Sequence, residues 1–347
     1  MPGKRAVVAL SGGMDSAMAA VLLLEQGWQL LGVHLLLTPD QSAAVDLEAL
    51  GRFLGIAIRE VDLRQEFQHQ VIDYFRQAYL NGITPNPCVR CNEQIKFGSL
   101  LKLVQQWGYE FLATGHYARL APDAGGGIGL WRGADRQKEQ SYFLHRLRRG
   151  DLGKIIFPLA ELTKDQARAH AEARGLLPYI LPAESQELCF IPGKYGDYLR
   201  SLAETSQPGP IINRAGALLG SHRGLAHYTV GQRQGLGLPA AHPYYVLELI
   251  PETNTLVVGR KEELLADTLQ VDNINWLIKP PPATLEAQVR LRYRHPGVPC
   301  RLQPLSSERA KVELQEPQAA ITPGQAAVFY QGERVLGGGW IQRSRRS

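Results

Sequence analysis

The feature that most constrains this chain is a short loop, Ser11-Gly12-Gly13-Met14-Asp15-Ser16, set between a strand pattern and a helix pattern. Before it, Ala6-Val7-Val8-Ala9-Leu10 is a continuous apolar run of the kind that forms a strand buried on both faces. After it, residues 17–26 are good helix formers, stopped by Gly27 at a C′ position. Two glycines let the backbone approach a phosphate closely, and the following helix offers unpaired N–H groups and a positive dipole end to the same anion. Ser11 and Ser16 add hydroxyl donors, and Asp15 is placed to help hold Mg²⁺. A Walker A loop is excluded, because its lysine is missing. The order strand, loop, helix is that of a parallel α/β sheet, and the next hundred residues continue the alternation. Strands are predicted at 30–37, 56–61 and 111–114, helices at 46–54, 65–80 and 93–107, and a Pro-rich loop at 81–92. A Gly-rich hairpin turn is predicted at 122–129. Thr163 with Gln166 is a capping box opening a helix that Gly175 closes.

Beyond residue 205 helical periodicity disappears, and short β-type runs at 244–250, 255–258 and 326–330 alternate with Gly and Pro, as in small β domains or barrels. Pro280-Pro281-Pro282 reads as a boundary between two of them. The expected architecture is therefore a Rossmann-like, doubly wound parallel sheet over 1–204, a small central domain over 205–272 and a β-barrel over 273–347. Residues 1–204 carry 22 basic and 22 acidic side chains, while 205–347 carry 16 and 11, so the surplus of +5 lies wholly in the C-terminal part. That distribution hints at a polyanionic partner. The apolar runs fall far short of the ~20 residues that span a bilayer. The five apolar residues after Arg5 are too few for a signal-peptide core, and 4 Cys in 347 residues is no secreted disulfide framework. A cytoplasmic, multidomain protein without a membrane partner is expected.

The loop at 11–16 resembles the pyrophosphate loop of ATP pyrophosphatases, which cleave ATP at the α-phosphate. Cysteines are the second signal. Cys88 and Cys91 form a Cys-x-x-Cys on the Pro-rich loop, and Cys189 lies in Glu184-Ser185-Gln186-Glu187-Leu188-Cys189-Phe190. Half of a structural zinc site needs two further ligands, and no second Cys-x-x-Cys or His-x-x-His pair is present. A redox pair is open on spacing alone, though its flanks are not those of thioredoxin. Cys300 reads as a small buried hydrophobe.

Taken with these signals, the segments 10–16, 84–97, 113–117, 140–144, 157–159, 185–191, 228–238, 322–330 and 336–339 resemble the bacterial tRNA-specific 2-thiouridylases nearly end to end. The resemblance implies adenylation of the wobble-uridine 2-oxygen and sulfur transfer, with Cys91 as catalytic cysteine and Cys189 as carrier of a persulfide. It puts Ala9, Leu10, Ser11, Gly12, Gly13, Met14, Asp15, Ser16, Leu35 and Gly115 at ATP. It puts Asn86, Pro87 and Cys88 at the target base, and His116, Lys138, Glu139, Gln140, Arg292, Tyr293 and Gln325 at tRNA. It further implies ATP with Mg²⁺, tRNAs for Lys, Glu and Gln read at the anticodon loop, and an upstream persulfide donor, either a cysteine desulfurase or a relay protein. A third cysteine beside the pair keeps a second arrangement open, a 4Fe-4S cluster on Cys88, Cys91 and Cys189.

Arg290-Leu291-Arg292-Tyr293-Arg294-His295 is the run most suited to RNA. Alternation in a strand would turn its three arginines to one face, toward phosphates. Two rival classes remain at this stage: another pyrophosphatase-loop synthetase of amidotransferase type, which needs neither Cys91 nor Cys189, and a non-catalytic tRNA-binding protein with a relic ATP site.

Overall fold

The computed structural model describes residues 4–39, 46–123, 125–181, 188–191, 207–239 and 242–343; motif residues 185–187 lie outside them. The chain divides into two compact units. The first holds Met1–Val71, Cys88–Phe190 and Gly332–Leu336, and the second Ile72–Pro87, Ile191–Gln331 and Gly337–Ser347.

In the first unit the strands are β1 (Arg5–Ala9), β2 (Gln29–Leu36), β3 (Ile58–Asp62), β4 (Phe111–Ala113), the hairpin β5 (Ala118–Asp123) and β6 (Gly127–Arg132), and β7 (Ile155–Ile156). Five of them form a sheet in the order β3-β2-β1-β4-β7, with every pairing parallel. The chain thus winds outward from β1 in both directions, the doubly wound α/β fold expected from the sequence. In this topology the crevice at the carboxyl ends of β1 and β4, where the winding reverses, is where ligands bind. Helix α1 (Met14–Glu25) follows β1 and buries Ala17, Met18, Ala20, Val21 and Leu23 against Val8, Leu10, Ala113 and Leu159. Each large apolar side chain removed from water there contributes about 1.5–3 kcal/mol. Helix α2 (Leu47–Leu54) starts on the Asp46 carboxylate, which accepts the Ala49 N–H at 2.8 Å, and stops at Gly55 in the left-handed region (φ 67°). The Thr163–Gln166 capping box opens the helix Lys164–Ala173 as expected.

One expectation is corrected here. Residues 81–86 are non-helical, but helix begins at Pro87 (Pro87–Arg90) and runs through a π-helical stretch, Cys91–Leu100, into Leu101–Gln106. Proline is well tolerated in the first turn of a helix, where its missing N–H has no partner to lose. The prolines therefore delay the helix rather than forbid it.

The second unit contains β8 (Gly209–Asn213), β9 (Leu218–His222), β10 (Tyr245–Ile250) and β11 (Thr255–Gly259), in the order β10-β11-β8-β9. Ile211, Leu225, Tyr228, Val246, Leu256 and Val258 form its apolar cluster. Then come β12 (Leu265–Trp276), β13 (Leu285–Arg290), β14 (Val298–Pro304), β15 (Ala310–Ala319), β16 (Ala326–Gln331) and β17 (Arg334–Ile341). Their order, β12-β15-β14-β13-β16-β17, closes on itself because β12 also pairs with β17, Val271 opposite Ile341. This is the expected barrel. Strand β14 shows the period-2 pattern that builds it, with Val298, Cys300 and Leu302 buried and their neighbours turned out.

Two readings change. Pro280-Pro281-Pro282 connects β12 to β13 inside the barrel instead of preceding it. The arginine run is not one strand: β13 ends at Arg290, whose buried guanidinium donates to the carbonyls of His295 (3.0 Å from Nε) and Tyr293. Arg290 is spent on closing its own turn, leaving Arg292 and Arg294 exposed and Leu291 buried. Among the described residues no helix is long and apolar enough to cross a membrane.

Candidate active site

The loop of residues 11–16 sits where the topology calls for a ligand, at the carboxyl end of β1 beside β4. It is tied from within. The Ser16 hydroxyl accepts the Ser11 N–H at 3.0 Å, donates to the Gly13 carbonyl at 2.9 Å and lies 3.1 Å from the Ser11 hydroxyl. Gly12 takes φ 82°, which glycine alone adopts without strain, and its carbonyl accepts the Leu181 N–H at 2.9 Å. Beneath the loop, the buried His34 ring contacts the Leu10 carbonyl through Nδ1 at 2.8 Å, and the Leu10 N–H reaches Val33 at 2.7 Å. Ala9 ends β1, and Leu35 is buried one strand over in β2. Gly115, just beyond β4, touches the loop directly, since a Cβ there would lie 2.6 Å from the Asp15 carbonyl carbon and oxygen. The segments at 9–16 and 113–117 are thus one site.

Asp15 is not available in the way the sequence suggested. Its carboxylate accepts from Lys164 Nζ at 2.7 and 2.8 Å and from the Tyr117 hydroxyl at 2.8 Å. With both oxygens engaged by a cation, Asp15 does not fit as a magnesium ligand. Magnesium would then arrive with the nucleotide, held through phosphate oxygens. Tyr117 is itself clamped: its N–H donates to Gln140 Oε1 at 3.0 Å and its carbonyl accepts the Gln140 N–H at 2.8 Å. The Lys164 N–H in turn donates to Asp135 at 2.8 Å, and the other oxygen of Asp135 accepts from the amides of Gln137 and Lys138. Lys164 and Tyr117 were missed as site residues in the sequence. The only local signal for Lys164 was its place directly after the Thr163 cap, at the start of a helix that packs on α1.

The three thiols form the second part. Cys91 is buried, Cys88 half-buried and Cys189 exposed. Burial pushes Cys91 up to about 12 and Cys88 up to about 11. Crowding by the protein also raises Cys189. Cys88 and Cys91 each feel the charge of Cys189, and Lys96 opposes the rise at all three. Among the described residues no three His, Cys, Asp or Glu side chains converge as a metal-binding set. The described residues thus give no support to a 4Fe-4S cluster on Cys88, Cys91 and Cys189.

The residues carried onto tRNA are distributed unevenly. Lys138 is exposed. Glu139 is buried, its carboxylate accepting the Ser141 N–H at 3.0 Å, and Gln140 is the Tyr117 clamp. His116 is buried between Phe97 and Phe157, with ring centroids 5.8 Å from each, and bonds Thr114 at 2.7 Å. Burial first, and Lys96 second, hold its imidazole well below the usual range and hence neutral. In the second unit Gln325 Nε2 donates to the carbonyls of Thr84 and Pro85 at 3.1 and 3.3 Å, bracing the chain just ahead of buried Asn86 and Pro87. Arg292 is exposed and Tyr293 half-buried, both in the turn after β13.

Three family models cover most of the chain: a tRNA methyl transferase HUP domain over 4–193, a tRNA methyl transferase PRC-barrel domain over 196–260 and an aminomethyltransferase beta-barrel domain over 266–341. The tRNA-specific 2-thiouridylase MnmA of Chloroflexus aggregans is 45% identical, over 97% of this chain and 98% of its own. The same-named protein of Acidithiobacillus ferrooxidans is 44% identical over 99% of both. Among solved structures, a 4-thiouridine synthetase–RNA complex with bound ATP overlaps 58% of this chain and 50% of its own at 15% identity and TM-score 0.35, too slight to carry weight. Identity above 40% sustained over nearly the whole of both chains is far more than a shared fold brings, and the chain belongs to the tRNA-specific 2-thiouridylase family.

Proposed function

We propose that this protein replaces the 2-oxygen of the wobble uridine in the tRNAs for Lys, Glu and Gln with sulfur, in the cytoplasm, using ATP to activate the base and a Cys189 persulfide as sulfur source. A cysteine desulfurase or relay protein loads that persulfide. The observation that carries the reading is a conjunction within one unit. A phosphate loop lies at the switch point of the sheet, and Cys91 and Cys189, far apart in sequence, lie within each other's electrostatic reach.

The chemistry explains why both parts are needed. A uridine 2-carbonyl is a weak electrophile with a poor leaving oxygen. Attack of that oxygen on the α-phosphate of ATP releases pyrophosphate and leaves C2 bearing AMP as leaving group. Loop N–H groups and the α1 dipole stabilise the charge that grows on the departing pyrophosphate, with donors already in place; Asp15 holds Lys164 beside them. The terminal sulfur of the Cys189 persulfide attacks C2 and AMP leaves. Cys91 then attacks Cys189 Sγ, the S–S bond breaks, and its electron pair stays on the transferred sulfur. The product is a 2-thiouridine and a Cys91–Cys189 disulfide, which an external thiol reduces. Target-base contacts at Asn86, Pro87 and Cys88, and tRNA contacts at His116, Lys138, Glu139, Gln140, Arg292, Tyr293 and Gln325, belong to this reading.

The test is pyrophosphate release from ATP. It should require unmodified substrate tRNA and fail with tRNA lacking uridine at the wobble position. Release without tRNA would point to a synthetase acting on another substrate, and no release under any condition would return the loop to a relic.

A further inference from the structure

Lys96 lies within the segment 84–97 that carries the family resemblance, yet no role has been given to it above. It lies in the π-helical stretch Cys91–Leu100, where each turn closes from residue i to i+5. Lys96 therefore stands one such turn after Cys91, on the same side of the helix. Cys88 lies just before, in the helical turn Pro87–Arg90 that leads into this stretch. Lys96 is half-buried, and its charge reaches Cys88, Cys91, Cys189 and His116. Among the described residues no carboxylate pairs with it, because Glu93, the acid of its own helix, is taken by Arg90 at 3.1 Å and Arg146 at 2.8 Å. His116 stays neutral and supplies no charge. Among the described residues Lys96 thus has no carboxylate partner, and it stands one helical turn from Cys91 on the helix that Cys88 leads into.

We propose that Lys96 is the positioning residue of sulfur transfer: its ammonium holds the anionic sulfur, first the persulfide terminus on Cys189 and then the attacking thiolate of Cys91. This rests on the persulfide reading above. Only the thiolate is a competent nucleophile, and a buried site disfavours it unless a cation compensates. Lys96 takes no part in the proton transfer. The proton lost by Cys91 goes to solvent, two cysteine sulfurs are oxidised to the disulfide, and the transferred sulfur takes up their electron pair. The ammonium stabilises the anion at each stage without joining the exchange.

The test uses the full chain with Lys96→Met, Lys96→Gln and Lys96→Arg, with thermal melting to confirm folding. Exposed Cys189 is alkylated with iodoacetamide at fixed pH below its ionisation, and the rate is read by mass spectrometry. Both neutral variants should alkylate about tenfold more slowly, the effect of one pKa unit, and lose thiolation, while Lys96→Arg should recover most of both. Should Lys96→Met misfold, the Gln and Arg pair still carries the comparison. Wild-type alkylation rates in the neutral variants would overturn the inference. The two readings fail separately. Absence of persulfide on wild-type Cys189 after loading removes the relay, whereas a loaded Cys189 with unchanged alkylation in the neutral variants removes only Lys96.

Discussion

The phosphate loop and the thiol region belong to one unit and follow opposite electrostatic plans. At the loop, Ser11, Ser16 and Asp15 are engaged with protein partners, Lys164 among them, before any nucleotide arrives. At the thiols, burial is opposed in part by Lys96, and Cys88 and Cys91 are held protonated at neutral pH. The difference teaches where each activity is stored. The proposed adenylation would use donors fixed in advance, so that stabilising a transition state requires little reorganisation. In the proposed reaction, sulfur transfer would use nucleophiles kept inert until a more acidic sulfur is delivered, which would protect them from oxidation in the interval.

Changes in the two regions should therefore separate. The largest effect is expected from Cys189→Ala, which should remove tRNA thiolation under every sulfur source while pyrophosphate release survives. Cys91→Ala should block persulfide-driven turnover yet be partly rescued by free sulfide, which needs no resolving thiol, and Cys88→Ala should be milder than either. Thiouridine content by mass spectrometry, measured beside pyrophosphate release, checks all three, and loss of both activities together would break the separation. Next, Asp15→Ala or Lys164→Ala should lower pyrophosphate release by about 10²–10³-fold, the usual cost of a preorganised electrostatic group, with tRNA affinity little changed.

Gly115→Ala should cost about tenfold or more in the same assay, since displacing a catalytic group by a fraction of an ångström is enough to do so. Gly150→Ala, where nothing lies within 4 Å of the added carbon, is the control. Arg292→Ala should weaken binding of all substrate tRNAs alike and reduce the salt slope by about 0.9. Arg290→Ala should instead loosen the turn after β13 and destabilise the fold by about 1–3 kcal/mol, visible as a lower melting temperature.

The smallest effect is a pH dependence of stability. The folded pKa of Cys91 is raised from 9.0 to about 12, so above pH 9 the unfolded chain loses this proton first. Stability is then complete below pH 9 and falls as pH rises toward 12, by at most about 1.4 kcal/mol per pH unit for one group. Denaturant titrations at pH 8 and 10 should show a smaller decline in Cys91→Ala than in the wild type.

Much of this was legible in the chain. The strand–loop–helix order around residues 11–16, the cap at Thr163, the stop at Gly55 and the period-2 strands of the barrel follow from local chemistry, because each depends on residues a few positions apart. The arginine run shows where that reasoning stops. Alternation predicts one basic face for residues 290–294, but Arg290 finds the carbonyls of its own turn and the strand ends. The Pro-rich stretch shows the same limit, since Pro87 opens a helix where a loop was expected.

By itself, then, the sequence determined the fold class, the phosphate loop and the identity of the three thiols, because backbone geometry and side-chain type settle those locally. Only the tertiary structure decided which charges meet. It tied Asp15 to Lys164 and Tyr117, and it engaged Glu93, on the helical stretch of the buried Cys91, with Arg146. Such pairings join residues distant in the chain, and their strength depends on how much water packing has removed from between them, which no local pattern encodes.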